Sequence, residues 1–164
     1  SCTTKKDSPW ARRPGRVFSF VLLSCISLSR NRQRRSRLLE NHGKPAQLIA
    51  ALWTIGAAED RHLPNYRGVL DSALNKIKDQ LPTDVTENLT FSVTGIGLRC
   101  LELPQIINDM QYLLLADIRV TSSIRIKVEA DQAFAMLCEQ NISRQDASQL
   151  AQEFYAAVSA ECDS

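Results

Sequence analysis

The sequence predicts an all-α fold of about three helix-hairpin repeats, an α-solenoid, behind an extended basic N-terminal arm. Three observations lead there. With 164 residues, 44% hydrophobic and 23% charged, the chain fits one folded body and disfavours both wholesale disorder and a multi-span membrane protein. Aromatics make up only 6%, and Gly and Pro number six each, which argues against a sandwich or barrel built on frequent tight turns. Beyond residue 44, apolar side chains recur at intervals of three and four, the period of a helix face.

The elements follow in order. Asn41-His42-Gly43-Lys44-Pro45 is a breaker cluster that divides a basic arm, residues 1–43, from a helical-repeat body, residues 44–162. Pro45 suits a first helical position, and the AQLIAALWTIGAAE after it sets Leu48, Ala51, Leu52 and Ile55 on one stripe, the first helix. His62-Leu63-Pro64-Asn65 breaks it. A second helix carries Tyr66, Val69, Leu70, Ala73, Leu74, Ile77 and Leu81 until Pro82 stops it. Thr83-Asp84 supplies an N-cap and an early acid for a third helix through Leu89, Val93 and Ile96. Pro104 opens a fourth with Ile106, Ile107, Met110, Leu113 and Leu114. A fifth runs from about Ser123 through Ile126, Ala130, Ala133, Phe134 and Leu137. Ser143-Arg144-Gln145-Asp146 resembles a capping box with Asp in place of Glu, and starts a sixth through Ala147, Leu150, Phe154, Ala157 and Val158.

Charge divides the chain in two. Residues 1–39 carry ten Lys/Arg against the single acid Asp7, a net of +9, while residues 40–164 carry ten bases and seventeen acids, a net of −7. That asymmetry marks a tail that seeks a polyanion. The run Val17–Leu28, VFSFVLLSCISL, is twelve residues long, short of the ~20 that span a bilayer. Preceded by Arg12, Arg13 and Arg16, it resembles the opening of a signal peptide, and its Arg- and Ser-rich, acid-poor surroundings also fit an organellar transit segment. The competing expectation is an arm that remains on the chain and binds RNA through Arg12, Arg13, Arg16, Arg30, Arg32, Arg34, Arg35 and Arg37. Guanidinium groups make bidentate bonds to phosphate and stack on exposed bases. Five of them fall within residues 30–37, which predicts a salt slope of about −3.5 on single strands. A solvated charge run and docking on an acidic protein are the blander alternatives.

Shifting the chain by 41 residues lays Leu48 on Leu89 and Ala130, Leu52 on Val93 and Phe134, Ile55 on Ile96 and Leu137, and Gly56 on Gly97 and Cys138. Periods of this size belong to helix-pair solenoids. Small residues at the fourth set, Gly56, Gly97 and Cys138, would allow a neighbouring helix close approach or cap the helix end. Ala50-Ala51-Leu52-Trp53-Thr54-Ile55-Gly56 resembles the first helix of the octotricopeptide and FAST-kinase/RAP-type helical repeats. Thr83-Asp84-Val85-Thr86-Glu87-Asn88-Leu89 with Val93-Thr94-Gly95-Ile96-Gly97 is similar to the opening of the next repeat. The resemblance implies a non-catalytic structural RNA-binding subunit of a mitochondrial ribosome or related organellar ribonucleoprotein, in the mitochondrial matrix. Its partners would be ribosomal RNA or other organellar RNA and neighbouring ribosomal proteins, with no small-molecule substrate. The alternative is a structural subunit of a mitochondrial inner-membrane respiratory or ATP-synthase complex, in which Val17–Leu28 rests on lipid and the arginines meet anionic headgroups.

The sequence offers little chemistry of its own. Cys2, Cys25, Cys100, Cys138 and Cys162 form no short pair, and His42 and His62 are the only histidines, so no metal site and no cofactor is expected. The thiols are expected reduced and largely buried. Trp53, between Leu52 and Ile55, is expected in core packing more than on a base. Gly95-Ile96-Gly97 lacks a third glycine and a preceding strand, so it does not read as a dinucleotide site. No acid/base constellation stands out, and no catalytic residue is assigned.

Overall fold

The computed structural model describes residues 43–120 and 122–164. Among them, six helices and five strands follow as α1 (Gly43–Gly56), β1 (His62–Pro64), α2 (Val69–Ile77), a 3-10 turn (Lys78–Gln80), α3 (Thr83–Thr86), β2 (Phe91–Thr94) and β3 (Gly97–Cys100). Then come α4 (Leu103–Tyr112), β4 (Ala116–Val120), β5 (Ser123–Ile126), α5 (Ala130–Glu139) and α6 (Arg144–Asp163). Two antiparallel sheets result, one ordered β1-β5-β4 and one the hairpin β2-β3.

Helix α1 is the axis. Ten of its fourteen residues are buried, and a helix apolar on most sides has to be enclosed on most sides. It packs against α4, α5, α6 and strand β5, while α2 lies along α6. Gly56 makes the α1–α6 crossing possible: a Cβ there would overlap the Ala151 carbonyl oxygen and come within 3.0 Å of Tyr155 Cβ. One turn earlier Trp53, 2% exposed, meets Phe154 edge-on with centroids 6.4 Å apart and Tyr155 at 5.5 Å. Both Trp53 as core and Gly56 as a close-approach residue match the expectation from sequence. Ser143 caps α6, its Oγ accepting the Asp146 N–H at 3.2 Å.

The all-α solenoid is overturned, because the body is mixed helix and sheet. Its third expected helix stops at Thr86. The segment beyond it holds Thr90-Phe91-Ser92-Val93-Thr94 and two glycines. Branched and aromatic residues favour a strand there, and each glycine disfavours a helix by about 1 kcal/mol. They fold as a hairpin in which Thr94 pairs with Gly97 across Gly95-Ile96, with Gly97 at φ +109°, a conformation that suits glycine. A strand does precede these glycines, contrary to expectation, but they turn a hairpin and open no helix. The expected fifth helix begins only at Ala130, and residues 123–126 are the central strand β5. The 41-residue coincidences therefore do not mark equivalent positions. Leu52 is fully buried, whereas Val93 is 82% exposed and Ile96 78% exposed on the hairpin tip.

The hairpin is tied to the body at its base. Asp71, 5% exposed on α2, accepts the Cys100 N–H through Oδ1 at 2.7 Å and Arg99 Nη1 through Oδ2 at 3.2 Å. Glu102 Oε2 accepts the Thr90 N–H at 2.7 Å. Burial is the largest single influence on the Glu102 carboxyl and works to raise it, but the hydrogen bonds from Thr90, from its own backbone N–H and from the Cys100 thiol together outweigh it and hold the group below the usual carboxylate range. Burial pushes the Cys100 thiol up to about 11.

Candidate functional site

The eight arm arginines, Arg12, Arg13, Arg16, Arg30, Arg32, Arg34, Arg35 and Arg37, lie outside the described residues, as does the apolar run Val17–Leu28. The described body brings together a different set of cations. On β5 and the residues after it, Ile124, Ile126 and Val128 point into the core while Arg125 and Lys127 point out. This is the side-chain alternation of a half-buried strand. The register places Arg125 between His62 on β1 and Asp117 on β4. A bulge between Asp117 and Val120 re-aims the end of β4, and Arg119 lines the same groove.

The result is a groove of about 530 Å³ on the three-stranded sheet, lined by Arg61, Asp117, Arg119, Arg125, Lys127 and Glu129 around Ile126. Four of the ten bases in an otherwise acidic body converge here. Their roles differ. Arg61 is a clamp: Nη1 donates to the Val128 carbonyl at 2.9 Å and Nη2 pairs with Glu129 Oε2 at 3.0 Å, joining the chain before β1 to the chain after β5. Arg119 Nε holds Asp117 at 3.1 Å from an 82% exposed side chain, a pair of little energetic weight. Arg125 and Lys127 form no ion pair among the described residues. Arg125 on the central strand and Lys127 just beyond it, with no ion pair among the described residues, give the groove two cations suited by charge to an anion with several oxygens.

Sequence reasoning missed these residues. The signal was present in Ile118-Arg119-Val120 and in Ile124-Arg125-Ile126-Lys127-Val128, where branched apolar and basic residues alternate with period two.

Ser123 Oγ lies 3.3 Å from His62 Nδ1, and Asp60 Oδ1 accepts the His62 backbone N–H, not a ring proton, so among the described residues this pair lacks the carboxylate a nucleophile-base-carboxylate triad needs. Among the described residues no three His, Cys, Asp or Glu side chains gather as a metal site. No helix there is long and apolar enough to cross a membrane. Cys100 is buried, Cys162 half-buried and Cys138 exposed, all free, so Cys138 departs from the expected burial. Compared with family models, curated proteins and solved structures, the chain matches none.

Proposed function

We propose that the chain is a non-catalytic RNA-binding subunit of a ribonucleoprotein of the mitochondrial matrix, with the ribosome as the assembly that the arginine-rich arm best fits. The body presents a three-stranded sheet in place of a helix-pair scaffold. The observation that carries it is the basic groove, where Arg119, Arg125 and Lys127 crowd an exposed strand pair of a body whose net charge is negative. Concentrating cations against the body's overall charge focuses field on one face and recruits a polyanion there. Among the described residues no aromatic side chain lines the groove, so the groove offers phosphate contacts in preference to base stacking, and its binding should be tolerant of sequence. The ten bases of residues 1–39 supply further phosphate contacts.

Photocrosslinking in the native complex tests this, with 4-thiouridine in the RNA and a photoactive lipid in parallel. Nucleotide adducts are expected on the peptide holding Arg125 and Lys127 and on those holding Arg30 to Arg37. Lipid adducts on Val17–Leu28 without nucleotide adducts anywhere would transfer the chain to a membrane-bound complex.

A further inference from the structure

The two sheets of the described residues have outer edges at β1, β4, β2 and β3, and three of the four are guarded. The Ile126 N–H donates to the Arg61 carbonyl at 2.8 Å, so alternation along β1 turns the backbone of His62 and Pro64 outward. Asp60 Oδ1 takes the His62 N–H at 2.9 Å, and proline has none to offer. Strand β4 is interrupted by the bulge that holds Arg119, and bulges and charges both keep strange strands off an edge. On β3 the outward Cys100 N–H is held by Asp71 Oδ1 at 2.7 Å, with α2 alongside.

Strand β2 has no such guard. The Leu101 N–H donates to the Thr90 carbonyl at 2.9 Å. In the register that pairs Phe91 with Cys100, Ser92 with Arg99 and Val93 with Leu98, the N–H and C=O of Phe91 and Val93 therefore point away from β3. Among the described residues no hydrogen bond reaches them. Phe91-Ser92-Val93-Thr94 holds no charge, no proline and no bulge, and Val93 is 82% exposed. We propose that β2 is a self-pairing edge, to which the β2 of a second copy of this chain adds antiparallel, so that two hairpins join in one four-stranded sheet. This uses none of the residues of the nucleic-acid proposal.

A second copy is the occupant because the edge is complementary to itself. With Ser92 of both copies on a two-fold axis, Phe91 faces Val93 of the second copy and Val93 faces its Phe91. Each of these pairs exchanges two N–H···O=C bonds, so every outward backbone group of Phe91 and Val93 is used on both sides. Each also sets an aromatic ring beside a β-branched side chain, a favourable cross-strand pair, and covers the exposed Val93. Two copies of a body with net charge −7 over residues 40–164 meet at this uncharged strand without like charges face to face. Pairing consumes both β2 edges while the β3 edges stay guarded, so association closes at two copies and does not run on into a fibre. The seam is four residues a side, well below the ~1,200 Å² of a standard interface. The dimer is accordingly weak, with a Kd on the order of 100 µM.

The test is sedimentation velocity of the full-length protein, treated with nuclease to remove bridging RNA, from about 5 to about 500 µM. A monomer–dimer equilibrium is expected. Val93→Lys should weaken it at least tenfold, whereas Val120→Lys, the same change at an exposed apolar residue of β4, should alter it less than twofold. Ser92→Cys should link two copies under mild oxidation, with the disulfide located by peptide mapping. The residues on the axis form a non-hydrogen-bonded pair with Cα atoms about 4.5 Å apart, within the reach of a disulfide. Thr94→Cys, which faces Thr90 of the second copy, should not link to itself. Monomer at every concentration, growth beyond two copies, equal weakening by the two lysine variants, or cross-linking by Thr94→Cys as efficient as by Ser92→Cys would each overturn the assignment.

Discussion

Alanine at position 56 should destabilise the fold, although alanine is the better helix former. In an open helix, Gly→Ala gains about 1 kcal/mol. Gly56 is not in an open helix: its added Cβ would overlap the Ala151 carbonyl oxygen, lie 3.0 Å from Ala151 C and lie 3.0 Å from Tyr155 Cβ. Two of those three atoms are backbone, which cannot rotate away, so α6 has to retreat from α1. Retreat loosens the stack of Trp53 on Phe154 and Tyr155, and such ring pairs are worth about 0.5–1.5 kcal/mol each beyond burial. Overpacking adds about 1–3 kcal/mol. Set against the helix-propensity gain, the net loss is roughly 1–3 kcal/mol, or a Tm lower by about 2–12 °C for a chain of this size. Urea unfolding followed by far-UV circular dichroism measures it, with Gly95→Ala as the control, since a Cβ at Gly95 meets nothing within 4 Å. Wild-type or greater stability for Gly56→Ala, at unchanged m, would refute the close α1–α6 crossing.

Three further outcomes follow from the hairpin and its anchors. Asp71→Ala strips the acceptor from the Cys100 N–H and Arg99 and should cost about 2–4 kcal/mol, the Arg99 exposure of 31% softening the loss. Hydrogen exchange at the Cys100 amide should rise with it. The lowered Glu102 carboxyl contributes stability that is complete above its unfolded value of about 4.3 and is lost as pH falls through the folded value. Glu102→Gln should accordingly flatten the acid side of the stability curve, read by urea midpoints across pH. Iodoacetamide at pH 8 should label Cys138, which is exposed, and spare Cys100, which is buried with a thiol at about 11. Peptide mapping before and after unfolding in urea separates the two.

Much of the helical framework was legible in the sequence. Leu48, Leu52 and Ile55 repeat at helical spacing, Leu70, Ala73, Leu74 and Ile77 do the same, and Ser143 with Asp146 marks the start of α6. Long amphipathic segments with caps carry a strong periodic signal. The strands were not legible by the same measure. They are three to five residues long, and a run such as Ser123-Ile124-Arg125-Ile126 leads directly into Ala130, Ala133 and Leu137, where apolar residues do follow a helical spacing. A helix template absorbs so short a strand when its own alternation is not scored. The glycines at 95 and 97 were the clearest warning, since helix continuation through them is unfavourable. The basic groove was missed for a related reason, since its alternating signal sits in the same short strands. Arg61 is 58 residues before Arg119 in the sequence, and only the antiparallel register of β1, β5 and β4 gathers it with Arg119 and Arg125. Charge counted along the chain reports the arm and averages the groove away.

The most direct measurement is the affinity of the full-length protein for a single-stranded RNA, by fluorescence anisotropy, from 50 to 200 mM salt, for wild type and for Arg125→Gln/Lys127→Gln. Five arm arginines and two groove cations on phosphates give a log–log slope of about −5, and the double variant should fall to about −3.5 with weaker binding at every salt concentration and on every RNA sequence. An unchanged slope and affinity in the variant would contradict a phosphate-binding sheet, whatever the arm does.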